Sequence, residues 1–227
     1  MIALVLDVAS STGYCLVKIT TINVTIIHET ETEVVATPTR ADIFEYGTLH
    51  VKRSSPHFAD HCLDLSHQVE QMIDRHHITH IAMEDYFFTK KNTNNCKLNI
   101  SLRTAVAMLA RQKGVECTML NIVLWKRFVS RCSHPTKEQL ATWGRNASKI
   151  FIQDALWKNF GIRFPKYFTP PTSGRPTKFS HDIIDAVGQA IYYCCKFHGI
   201  HERSITCSVP LPPDMPSKAK FQKYSYQ

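Results

Sequence analysis

At 227 residues the chain is long enough for one substantial core, and its 44% apolar content is ordinary for a folded protein. Its 27 Lys and Arg against 19 Asp and Glu leave a net charge of +8, which favours a polyanionic partner, nucleic acid before a membrane surface. No apolar run approaches the ~20 residues of a membrane helix and no basic leader precedes the first apolar stretch, so neither a membrane span nor a secretory signal is expected.

Residues 2–8, Ile-Ala-Leu-Val-Leu-Asp-Val, are apolar apart from one aspartate and predict a strand buried on both faces. A Ser-Ser-Thr-Gly turn leads into a second strand over 14–19. Further strands are predicted over 22–28 and 43–51, with the polar stretch 29–40 as an enlarged connection. Residues 59–75 read as a helix with Leu63, Leu65, Val69, Met72 and Ile73 on one face, and a buried strand follows over 78–84. After a polar loop around 90–95, a helix over 101–113 carries Leu102, Val106, Leu109 and Ala110, and Gly114 stops it.

A strand over 115–120, a short helix over 122–131 and a longer one over 146–160 come next. Residues 165–179 are Pro-rich and basic and read as a loop, after which Ser180 caps a final core helix over 182–197. From Ser204 onward Pro and Lys recur without periodicity, so a folded domain over 1–203 and a flexible basic tail over 204–227 are expected. The fold class is α/β: a mixed sheet, antiparallel at its opening meander and parallel thereafter, flanked by helices. The eight cysteines include no Cys-x-x-Cys pair, and Cys15, Cys117, Cys194 and Cys195 fall in apolar segments. Free thiols in a reducing, intracellular compartment fit this better than a disulfide framework.

Four acids stand apart from this background. Asp7 and Glu84 each end an apolar strand, and ligands gather at strand ends in open α/β sheets. Asp182 and Asp185, three residues apart, share one face of the last helix among apolar neighbours. Each acid also has an ordinary reading: a turn acceptor for Asp7, a solvated strand end for Glu84, first-turn acids favoured by the helix dipole for the pair. If all converged, their repulsion would call for cations, and carboxylates with phosphate oxygens are the ligands of Mg²⁺.

Three segments resemble the RuvC-type Holliday junction resolvases of the RNase H-like superfamily. They are Leu6-Asp-Val-Ala-Ser-Ser-Thr-Gly-Tyr14, Ala82-Met-Glu-Asp-Tyr-Phe-Phe88 and His181-Asp-Ile-Ile-Asp-Ala-Val-Gly-Gln-Ala-Ile191. The resemblance spans residues 2–195 and implies an RNase H-like fold and metal-dependent cutting of four-way DNA junctions by paired nicks. It implies Asp7, Glu84, Asp182 and Asp185 as ligands of two Mg²⁺ or Mn²⁺ ions, with no small-molecule cofactor. It also implies Phe87 as a wedge into the junction, and Lys126 and Lys149 as lysines near the scissile phosphate.

Lys90, Lys91, Arg103, Lys126, Arg145 and Lys149 are the candidate DNA contacts in the main domain, with Lys166, Arg175 and Lys178 in the Pro-rich loop. Paired nicks in a two-fold substrate imply a homodimer, for which the helix over 101–113 offers a broad apolar stripe. Another RNase H-like nuclease, acting on RNA–DNA hybrids or flaps, would carry the same carboxylates. A non-catalytic junction-binding protein would have no need of them.

Overall fold

β1 (Ile2–Asp7) lies in the interior of the main sheet, with Ala3, Leu4, Val5 and Leu6 fully buried. The computed structural model describes residues 1–27, 32–51, 57–85, 93–144, 147–164, 167–168, 177–178 and 180–209. β2 (Ser11–Ile27) returns antiparallel to β1, setting Asp7 opposite Gly13, and β3 (Thr32–His50) pairs along the length of β2. α1 (Phe58–His76) leads to β4 (His80–Glu84), which runs parallel to β1 with Leu6 opposite Met83. α2 (Thr93–Gln112), β5 (Glu116–Leu120), α3 (Ile122–Val129), α4 (Lys137–Trp143) and α5 (Ala147–Phe160) follow. A two-residue pair, β6 (Tyr167–Phe168) and β7 (Thr177–Lys178), precedes α6 (His181–Phe197) and β8 (Ile205–Cys207). The main sheet runs β5-β4-β1-β2-β3-β8. Among the described residues no helix is long and apolar enough to cross a membrane.

Successive side chains of a strand point to opposite faces, and β1 feeds two cores accordingly. Ala3 and Val5 join Ala82, Trp125, Leu156 and the buried stripe of α6 on one face. Leu4 and Leu6 join Leu65, Val69, Leu102 and Val106 of α1 and α2 on the other. At roughly 1.5–3 kcal/mol for each fully buried large aliphatic side chain, this two-sided burial is what commits residues 2–6 to the sheet interior.

Several elements depart from expectation. The stretch 29–40 is not simply a connection: from residue 32 it belongs to β3, whose Thr32–Pro38 half pairs with Thr21–Ile27 of β2. Beyond Thr20 no third strand flanks this ribbon among the described residues. α2 begins at Thr93, eight residues before the apolar stripe that marks it in the sequence. α4, with no buried residue, is set by a capping box in which Thr136 and Gln139 satisfy each other's backbone N–H. Within the predicted loop 165–179, β6 and β7 pair.

The folded unit also continues past 203. Residues 205–207, expected to be tail, form the edge strand β8 parallel to β3. Three residues are too few to show a pattern, and β8 is held instead by Asp42, which accepts from Thr206 Oγ1 and Ser208 Oγ at 2.7 Å each. Leu63, placed on the buried face of α1, is 59% exposed, and Cys117 faces solvent.

Candidate active site

Alternation along β1 and β4 decides where the two strand-end acids point. Asp7 continues the Ala3–Val5 row and Glu84 continues the Ala82 row, so both emerge on the α6 face of adjacent strands. The start of α6 closes down on them. A Cβ built on Gly13, the partner of Asp7, would lie 2.0 Å from the Asp182 carbonyl oxygen and 2.8 Å from Ile183 N. Only glycine permits that approach. Ser180 caps the helix by accepting from Asp182 N at 3.2 Å, and the three-residue spacing then brings Asp185 to the same face as Asp182.

The four acids feel one another. Burial, then Asp185 and Asp182, push the Asp7 carboxyl from 3.8 up to about 7, against the pull of Lys126 and Lys149. Burial and then Asp7 raise Glu84 to about 7, opposed by Lys126 and Arg103. Asp185 rises to about 6, chiefly by burial; Lys126 and Lys149 oppose the rise, while Glu84 and Asp182 add to it. Burial alone would lower the Lys149 ammonium, but Asp182, Asp185 and Asp7 outweigh it and hold its pKa above the ordinary value. Lys149 Nζ donates to Asp182 Oδ1 at 3.3 Å, and Ser180 Oγ donates to Oδ2 at 3.2 Å.

Glu84 is fixed most firmly. Its carbonyl accepts from Arg103 Nε at 2.8 Å, and its Oε2 accepts from Gln189 Nε2 at 3.3 Å. Among the described residues no donor hydrogen-bonds the carboxylate of Asp7 or of Asp185, although Asp185 is only 7% exposed. Desolvated acids in this state are costly unless protonated or met by a cation. As they stand, no three His, Cys, Asp or Glu side chains among the described residues are drawn together tightly enough to enclose an ion. The donor set fits a hard divalent cation by its chemistry, since it consists of carboxylate oxygens whose mutual repulsion a cation would relieve.

The structure thus sets Asp7, Glu84, Asp182, Asp185, Lys126 and Lys149 within electrostatic reach of one another. Arg103, expected among the DNA contacts, is instead buried against β4, where it clamps the Glu84 backbone and also donates to Asn99 O at 3.4 Å. Phe87, Lys90, Lys91 and Arg145, with Lys166 and Arg175, lie outside the described residues, as does the side chain of Lys178. Sequence reasoning missed Gln189 and Trp125, both fully buried beside Glu84. The signal for Gln189 was a lone amide four residues after Asp185 in an otherwise apolar stripe.

Separate from the carboxylates, α2 and β5 border a groove of about 550 Å³ lined by Ile100, Thr104, Ala107, Met108 and Met119 among others. Met108 and Met119 are 59% and 44% exposed there.

Layers, strand order and the packing of α6 against β2, β1 and β4 give the chain the RNase H-like fold seen in the RuvC structures. The Thermus thermophilus RuvC structure superposes with a TM-score of 0.51 at 14% identity, over 87% of this chain and 98% of that one. The same organism's RuvC in complex with Holliday junction substrate gives 0.50 at 14% identity, over 84% of this chain and 90% of that one. No family model matches the chain, and no curated protein matches it in sequence.

Proposed function

We propose that this protein is a divalent-metal-dependent endonuclease that resolves four-way DNA junctions by paired nicks. The observation that carries the reading is the set of three acids, the buried Glu84 and Asp185 and the partly buried Asp7, with proton affinities raised by desolvation and by one another, beside Lys126 and Lys149. A merely structural cluster would be paired off, whereas Asp7 and Asp185 accept no hydrogen bond among the described residues. The RuvC fold supports the nuclease class, and the junction bound in one of the similar structures supports the substrate.

Asp7, Glu84, Asp182 and Asp185 would hold two Mg²⁺ or Mn²⁺ ions. Such ions supply a lowered pKa for an attacking water and a counter-charge for the leaving 3′ oxygen. Lys126 and Lys149 supply positive charge at the rim where a phosphodiester would approach, and their attraction for phosphate draws the backbone toward the acids. Lys149 neutralises Asp182 meanwhile, and a phosphate oxygen competes for the same ammonium. Arg103 and the β4 ladder keep Glu84 from swinging away. A four-way junction has two-fold symmetry, so paired nicks need two sites, and a second copy seated on the groove between α2 and β5 would provide the second.

The test is cleavage of labelled four-way junction, Y-fork, duplex and RNA–DNA hybrid, each with Mg²⁺, Mn²⁺ or EDTA, beside Asp7→Asn. Symmetric metal-dependent nicks on the junction alone, absent in Asp7→Asn, are the expected result. Cleavage of the hybrid or the fork instead would keep the site and replace the substrate. Tight junction binding without any cleavage would refute the catalytic reading.

A further inference from the structure

We propose that Gln189 is a positioning residue that holds one oxygen of Glu84 and thereby leaves the other for the cation. The inference rests on the reading of Glu84 as a metal ligand and assigns a role to a residue outside the four acids.

Gln189 lies in α6 within an unbroken buried run from Ile183 to Cys194, and it is 0% exposed. Four residues after Asp185, it sits on the same helical face one turn deeper. Its Nε2 donates to Glu84 Oε2 at 3.3 Å, while its Oε1 is buried with no hydrogen-bond partner among the described residues. A buried amide with one unsatisfied end is a poor way to fill a core, because an aliphatic side chain of the same size would leave nothing unpaired. The half that is satisfied points at Glu84.

The surroundings keep this contact rigid. A Cβ on Gly188 would lie 2.9 Å from Trp125 Cζ3, so α3 and α6 pack closely beside Gln189. The Trp125 indole N–H is near enough to favour the ionised form of Glu84, yet meets no acceptor at hydrogen-bonding geometry among the described residues. Arg103 fixes the Glu84 carbonyl from the opposite side. A glutamate has several rotatable bonds, and a ligand is effective only when its free oxygen is held in place. Groups that orient ligands in this way typically change metal affinity about 10–100-fold when removed.

The experiment compares the full chain with Gln189→Met, which keeps the volume and removes the donor, and with Gln189→Asn, which keeps the amide one methylene short. Mn²⁺ binding is titrated by electron paramagnetic resonance on protein without DNA, alongside thermal unfolding and junction cleavage at saturating Mn²⁺. Q189M is expected to unfold no earlier than the parent, to need about tenfold more Mn²⁺ for half-saturation, and to lose kcat with KM for the junction unchanged. Q189N is expected to fall between the two. If the parent binds Mn²⁺ and Q189M binds it with the same half-saturation, the role is refuted while the nuclease reading stands. If the parent binds no Mn²⁺, the reading of Glu84 as a ligand fails and this inference fails with it. Should Q189M not fold, the same titration on Q189N decides, and parental affinity there refutes the role.

Discussion

Asp7→Asn is expected to stabilise the metal-free protein at pH 8 while removing its response to Mg²⁺. In the folded protein the Asp7 carboxyl keeps its proton up to about pH 7, against an ordinary 3.8. At ~1.4 kcal/mol per pH unit, holding this carboxylate ionised costs the fold about 4 kcal/mol at pH 8. Because the folded pKa is raised, the corresponding stability is complete below pH ~4 and is lost as pH rises through about 7. Glu84, raised to about 7, and Asp185, raised to about 6, act in the same direction. These acids repel one another, so their costs do not simply add. Asparagine removes the charge but remains a partly buried polar group, which leaves a gain of about 2 kcal/mol. For a chain of this length that is about 4–8 °C in Tm. The assay is thermal unfolding of parent and variant in EDTA at pH 5 and pH 8, and then in excess Mg²⁺. The variant's advantage should be largest at pH 8 in EDTA and smaller at pH 5, where the parent carboxyl is protonated. Mg²⁺ should raise the parent's Tm by mass action and leave the variant's unchanged. A variant less stable than the parent at pH 8 in EDTA would refute the reasoning, because it would show Asp7 paired rather than repelled.

Gly13→Ala places a methyl group 2.0 Å from the Asp182 carbonyl, so we expect at least the 1–3 kcal/mol typical of overpacking. Urea titration measures that loss, and an unchanged midpoint would contradict the close approach of α6. Lys149→Met should slow cleavage strongly but shift Tm little, since its bond to Asp182 is partly exposed and such pairs contribute about 1 kcal/mol or less. A large drop in stability with full activity would reverse that assignment. Met108→Asp should convert a dimer to a monomer in sedimentation velocity, and an unaltered dimer would move the interface away from the α2–β5 groove.

Much of the sheet was legible because its residues are buried on both faces. β1 and β4 are apolar runs that end in acids, and α6 opens with a serine cap followed by a buried stripe. The Thr32–Pro38 half of β3, α4 and β8 were not legible, for separate reasons. That half is held by a ladder of backbone bonds to β2, α4 buries nothing, and β8 is only three residues long. Arg103 was misjudged because a basic residue on a helix usually faces solvent, whereas this one reaches β4 at residue 84.

The amino-acid sequence by itself determined that Asp7 shares a row with Ala3 and Val5 and Glu84 a row with Ala82, since strand alternation is a property of neighbouring residues. It likewise determined that Asp182 and Asp185 would lie together at a capped helix start. Only the tertiary structure decided that these two places meet. That depends on the parallel register of β1 with β4 and on Gly13 admitting the backbone of Asp182. The same holds for Gln189 and Glu84, which are 105 residues apart in the chain and 3.3 Å apart in the fold. Local periodicity is written in nearest neighbours; contact between distant groups arises only when every intervening element has packed.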